Sequence, residues 1–232
     1  HDRQLCWLLN RKGGSKMSRT ITVTGIGRAT SRPDQITIPI TLEARDFDYQ
    51  KTMQLGAQQH EALKASLGKC EIEPEDIKTT DFRVDASYES ERDKNGNYKR
   101  VFNGYTCTHQ LQVQFDMDMK RLGRVLDAIA KCAAQPRCSI QFGIKDPESM
   151  MHQVLENAAS NARQKAEILA AASGVKLGEL LTITYSWADV TFRSETDMLC
   201  ETAACACDSM NIEIEPEGIK ASENVTFVWD IH

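Results

Sequence analysis

Apolar and polar residues alternate in several stretches of the chain, and the period changes between them. Ile21 and Val23 share one side of Thr20 to Thr24, and Ile36, Ile38, Ile40 and Leu42 extend the same period of two. That period is the signature of a strand with one buried face. Pro39 lies inside the second run and has no N–H to donate, so an edge strand or a bulge is expected there. From Asp46 or Asp48 to Leu67 the period becomes helical: Met53, Gly56, His60, Leu63 and Leu67 share a face, and Gly68 supplies a stop.

A strand is expected from about Thr79 to Glu89. A hairpin turn with Asn95-Gly96 at its tip follows, then a return strand from Tyr98 to Phe115. Leu122, Val125, Leu126, Ile129 and Ala133 mark a second helix over Met119 to Ala133. A short strand follows over Cys138 to Ile144. Asp146-Pro147-Glu148 opens a long alanine-rich third helix that ends at Ser173-Gly174. Leu180 to Ser186 reads as a strand, 188–211 as irregular, and Val225, Phe227, Trp229 and Ile231 as a closing strand. "EIEPEDIK" (71–78) returns as "EIEPEGIK" (213–220), and a strand follows each copy. The surroundings do not repeat, so the echo is read as two similar turns rather than an array. Mixed order with hairpins predicts an α+β fold: antiparallel sheet with three main helices packed on one face.

The strand that opens the chain runs into Gly25-Ile26-Gly27, a beginning shared with dinucleotide sites. Such a site needs a third small residue at a helix N-terminus, where amides receive the pyrophosphate. Here Thr30 occupies that position, and Ser31-Arg32-Pro33-Asp34 leads into another strand. Gly25 and Gly27 are therefore expected to permit a bulge or reversal between two strands.

The 232 residues suffice for one large domain or two small ones. A net charge of −5 gives no general attraction to nucleic acid or anionic lipid, and no run is long enough to span a membrane. The eight cysteines are scattered and read as reduced thiols. Residues 1–16 read as a translated leader or vector-derived segment, because Lys12-Gly13-Gly14 can encode a ribosome-binding sequence just ahead of Met17. Residues 17–232 then form a single domain, with two α+β subdomains as the variant.

Cys200, Cys205 and Cys207 are the metal candidates, spaced C-x4-C-x-C, since soft metals favour clustered thiolates. Structural zinc sites show paired C-x2-C spacing and a fourth ligand, so free thiols are the default and no cofactor is expected. Cys107 and His109 share a strand face and could form a nucleophile–base pair or two metal ligands, but ordinary sheet residues are expected. His60-Glu61 opens like a zinc-protease motif, which fails because Lys64 stands in place of the second histidine. His152 reads as a surface residue and Asp118, near Asp116, as a helix cap. The acidic turns at 71–76 and 213–217 read as solvated, and Asn224-Val225-Thr226 is a glycosylation sequon by pattern.

Taken in order, "ITVTGIGRATSRPDQITIPITLEAR" (Ile21–Arg45), Asp76-Ile77-Lys78-Thr79, Asn103-Gly104-Tyr105, Leu111-Gln112-Val113, "ENAASNARQKAEILAAASGVKLGEL" and "GIKASENVTFVWDI" resemble SIMPL-domain proteins, the YggE-like group, over about residues 18–232. The resemblance implies an α+β fold, ring-like homo-oligomers in some members, an association with bacterial stress tolerance, and a protein partner in a eukaryotic relative. It supplies no catalytic residues. Many bacterial relatives carry an export signal; none is read in this chain, so a cytoplasmic location is expected, or export if the true start lies upstream. The expected function is that of a non-enzymatic, self-assembling scaffold or binding protein. The alternatives are a cytosolic thiol or metal binder using Cys200, Cys205 and Cys207, and an enzyme with an unrecognised pocket.

Overall fold

A computed structural model describes residues 19–92, 98–186, 192–194, 198–200 and 215–232. The expected leader, the Asn95-Gly96 turn, Cys205, Cys207 and Glu213 lie outside the described residues. The chain is α+β, with two antiparallel sheets and three helices, as expected. Its strands are β1 (Thr20–Ser31), β2 (Gln35–Asp46), β3 (Ile77–Arg92), β4 (Tyr98–Asp116), β5 (Arg137–Gly143), β6 (Leu177–Thr184), β7 (Met198–Cys200) and β8 (Ile219–Ile231). The helices are α1 (Tyr49–Gly68), α2 (Met119–Ala130) and α3 (Pro147–Ala172). Strand β7 falls inside the span expected to be irregular. Two compact units divide the described residues. One holds 19–29, 152–186 and 222–232, and the other holds the rest.

The larger unit carries a five-stranded sheet in the order β3-β4-β2-β5-β7. Its core joins Ile36, Ile38, Ile40 and Leu42 of β2 to Leu111 and Val113 of β4 and Ile140 and Phe142 of β5. Leu63 and Leu67 of α1 and Leu122, Val125 and Ile129 of α2 cover that face. Each helix starts on an aspartate that accepts backbone N–H bonds, Asp48 from Lys51 and Asp118 from Lys120 and Arg121. Beyond Tyr105, β4 pairs with β3 alone, so residues 86–92 and 98–104 form a two-stranded ribbon.

Pro39 does not mark an edge. Strand β2 is central, and its register to β5 is unshifted on either side of Pro39, so there is no bulge either. The ladder to β5 is interrupted only at Ile38 and Pro39. An antiparallel residue bonds to one neighbour only, so a missing N–H costs one bond on one side and leaves the other ladder whole.

The smaller unit has the sheet order β1-β8-β6 with α3 on one face. Gly25 and Gly27 make no reversal between two strands, contrary to expectation. They lie within β1 and are buried under α3. A Cβ on Gly25 would overlap the Ala158 carbonyl oxygen and stand 2.8 Å from Ala162 Cβ; one on Gly27 would overlap the Val154 carbonyl and stand 2.9 Å from Ala158 N. The helix answers with small residues: Ala158, Ala162, Ala166 and Ala170 are buried four residues apart. Glycine is required here by backbone contact, not by φ.

Close approach also lets α3 reach the outer edge of β1. Asn161 Oδ1 accepts from Ile26 N–H (3.1 Å), Asn157 Nδ2 donates to Arg28 O (2.9 Å) and Lys165 Nζ donates to Thr24 O (3.1 Å). Three side chains at four-residue spacing thus occupy backbone groups that an edge strand leaves open.

Gly27→Ala should destabilise the protein by about 1–3 kcal/mol, the usual cost of overpacking. Gly123→Ala, in α2 with nothing within 4 Å of the added methyl, should stabilise it by about 0.5–1 kcal/mol through helix propensity. Urea unfolding followed by circular dichroism measures both.

Candidate functional site

Helix α1 crosses β4 so that Gly56 and His60, one turn apart, lie over Cys107 and His109, two residues apart. A Cβ on Gly56 would come within 2.9 Å of Cys107 Sγ. The His60 and His109 rings meet at 4.7 Å between centroids. Phe82 of β3 stands edge-on to His109 at 5.1 Å, and Thr79 Oγ1 lies 2.9 Å from His109 Nε2. His109 is buried and His60 half-buried.

Burial holds the His109 pKa below its ordinary value of 6.5, and the neighbouring His60 and Lys64 lower it further. Burial also lowers His60, Lys64 adds to the effect, and Glu61 opposes it. Burial pushes the Cys107 thiol up, away from the thiolate a nucleophile needs. Among the described residues no three His, Cys, Asp or Glu side chains come together as a metal site. The Cys107–His109 pair therefore reads as packing. The pairing of His60 with His109 escaped sequence reading, because 49 positions separate a helix residue from a strand residue.

The other expected positions are plainly placed. His152 is exposed on α3. Asp118 caps α2, and the Arg121 N–H bond is the main reason its carboxyl sits below its usual range. Asp116 pairs with Lys145 at 2.7 Å. Glu71 meets Arg124 at 3.7 Å, and its carbonyl accepts from Arg121. Cys200 ends β7, and Cys205 and Cys207 lie outside the described residues.

Exposed apolar surface is the more telling feature. On the two-stranded ribbon Tyr88, Tyr98 and Phe102 are 50%, 75% and 40% exposed, and Arg100 sits 4.9 Å over the Tyr88 ring. In the smaller unit, β6 is the sheet edge opposite β1 and exposes Leu180, Leu181 and Ile183. Leu180 stands opposite Trp229 and Ile183 opposite Phe227. A groove of about 390 Å³ runs beside them, floored by the stacked Phe227 and Trp229 rings and rimmed by the Arg163–Glu167 ion pair of α3.

The SIMPL family model, described as a protein of unknown function (DUF541), matches residues 21–229. A 26 kDa periplasmic immunogenic protein of Brucella melitensis is 24% identical over 164 residues, covering 71% of this chain and 65% of that protein. The match therefore spans just under two thirds of that relative's length. An uncharacterised YggE protein of Edwardsiella ictaluri is 24% identical over 215 residues, covering 91% of this chain and 86% of that protein. The cytoplasmic expectation is overturned: relatives named as periplasmic point to export. An export signal is cleaved from outside the folded domain, so neither core nor strand pattern records it.

The histidine pair sets a pH dependence. Both pKa values are lowered by folding, so below about pH 6.5 the unfolded chain binds more protons than the folded one. The pair's contribution to stability is complete above pH 6.5 and is lost as pH falls towards the lowered values. Urea midpoints measured from pH 7.5 to pH 5 should fall, and His60→Gln should flatten the decline.

Proposed function

Because the chain belongs to the SIMPL family, we propose that it is an exported, self-assembling protein whose surfaces, rather than a catalytic cleft, carry a scaffold or binding role. The periplasmic naming of the Brucella relatives supports export.

The observation that carries assembly is the contrast between the two edges of the smaller sheet. Along Thr24–Arg28 the β1 edge is occupied by Asn157, Asn161 and Lys165. The β6 edge is less guarded: its register to β8 shifts at Leu177/Leu180 and Leu180/Thr182, but its one charge is Glu179, and it contains no lysine or proline. Its apolar side chains are exposed along the strand. Leu180 and Ile183 share the face of Trp229 and Phe227, and Leu181, between them, is exposed as well. The occupant that matches is a second copy of the same edge. Two antiparallel β6 strands would exchange main-chain bonds, cover exposed apolar side chains, and offer Glu179 of each copy to Arg163 at the groove rim of the other. Acidic residues that confront like charges would oppose such pairing, and β6 carries only one.

Light scattering on the purified chain should give a discrete multiple of 26.0 kDa that reductant leaves unchanged. The double variant Leu181→Lys, Ile183→Lys should halve the mass with an unaltered circular dichroism spectrum, whereas Tyr98→Ser should leave it intact. A monomeric parent at tens of micromolar would overturn self-assembly. A multimer broken by Tyr98→Ser and not by the β6 variant would move the interface to the aromatic ribbon.

A further inference from the structure

We propose that Cys138 and Cys200 are a cross-strand disulfide pair, closed once the protein meets an oxidising compartment. The proposal rests on the reading that the protein is exported. Strands β5 and β7 run antiparallel, with Cys138 opposite Cys200, Ser139 opposite Leu199 and Ile140 opposite Met198. Directly opposed residues of an antiparallel pair have Cα atoms about 4.5 or 5.5 Å apart, according to whether they exchange hydrogen bonds. Both separations fall within the roughly 4.4–6.8 Å over which a disulfide closes without moving the backbone. Opposed residues also project to the same face of the sheet.

The pairing is selective. Cys107, also in the five-stranded sheet, stands opposite Ala44 on one side and Val84 on the other. Cys70 and Cys132 lie outside the strands. Among the described residues, Cys138 and Cys200 are the cysteines that the ladder places face to face.

The position also fits a bond that persists. Cys138 is buried in the core of the larger unit, opposite Ile40 on its other flank. Its sulfur is screened from reductants on the core face, and structural disulfides resist exchange for that reason. Strand β7 is three residues long and lies at the sheet edge, so it has few ladder bonds of its own. A covalent link at its last residue would anchor the long connection between β6 and β8 to the sheet.

The chemistry balances as thiol–disulfide exchange. One thiolate attacks the sulfur of an external disulfide, glutathione disulfide or a protein-borne one, and releases the first external thiol. The second cysteine then attacks that mixed disulfide, forms the Cys138–Cys200 bond and releases the second thiol. Two electrons and two protons pass from the pair to the external disulfide, which departs as two thiols.

The test is peptide mapping by mass spectrometry. The purified chain is held in glutathione disulfide, blocked with N-ethylmaleimide in denaturant without reductant, and digested. The expected species is a peptide carrying Cys138 joined to one carrying Cys200, with both residues unlabelled until reduction. Cys200→Ser should abolish that species and leave Cys138 open to labelling. Cys205→Ser should leave it unchanged. Cys200 joined to Cys205 or Cys207, or Cys138 labelled after oxidation, would overturn the proposal. Failure of the export reading is separate: the bond would still form in the tube, while protein fractionated from cells would be found reduced in the cytoplasm.

Discussion

The smaller unit depends on one close approach, the backbone of β1 against the backbone of α3. At Gly25 and Gly27 the strand carries no side chain, and Ala158 and Ala162 offer only methyl groups on the helix side. Helix and strand then sit nearer than larger residues would allow, and dispersion gains from the full contact. The same proximity brings short asparagine side chains within hydrogen-bond reach of strand carbonyls and amides. A larger residue at Gly27 would therefore disturb more than packing, since the hydrogen bonds at the sheet edge exist only because the helix lies so close.

Most elements were legible in the sequence because their periods are strong. Alternation in Ile36–Leu42 and Leu111–Phe115, and helical spacing in Leu122–Ile129, each reflect one buried face. The misread features are those whose cause lies far along the chain. The glycines of β1 meet a helix about 130 residues later, so local rules could offer only a bend or a phosphate loop. The missing donor of Pro39 says nothing, in sequence, of which flank that donor would have faced. The cysteines near position 200 were grouped by nearness in sequence, whereas the β5–β7 ladder sets Cys200 against Cys138. His60 and His109 were likewise assessed separately, each against its own neighbours.

The candidate chemistry sorts by burial. Cys107, His109 and His60 carry groups that could react, but the enclosure that brings them together favours their uncharged forms. A neutral thiol and neutral imidazoles behave as polarisable packing residues. Meanwhile the side chains that would gain most from contact, on the ribbon and on β6, are in the open. Reactive groups inside and apolar groups outside are the arrangement on which the proposed contact role rests.

The occupied β1 edge also limits growth. A sheet with two open edges can add strands without end, which is how filaments extend. With Asn157, Asn161 and Lys165 on one margin, the three-stranded sheet has, among the described residues, one open edge, which the proposed β6 pairing would consume in both copies. Sheet extension by that proposed pairing would terminate at two subunits, six strands across. Any ring or shell larger than a pair would have to be built through a second, unrelated contact, and would appear as a separate step when the protein is diluted.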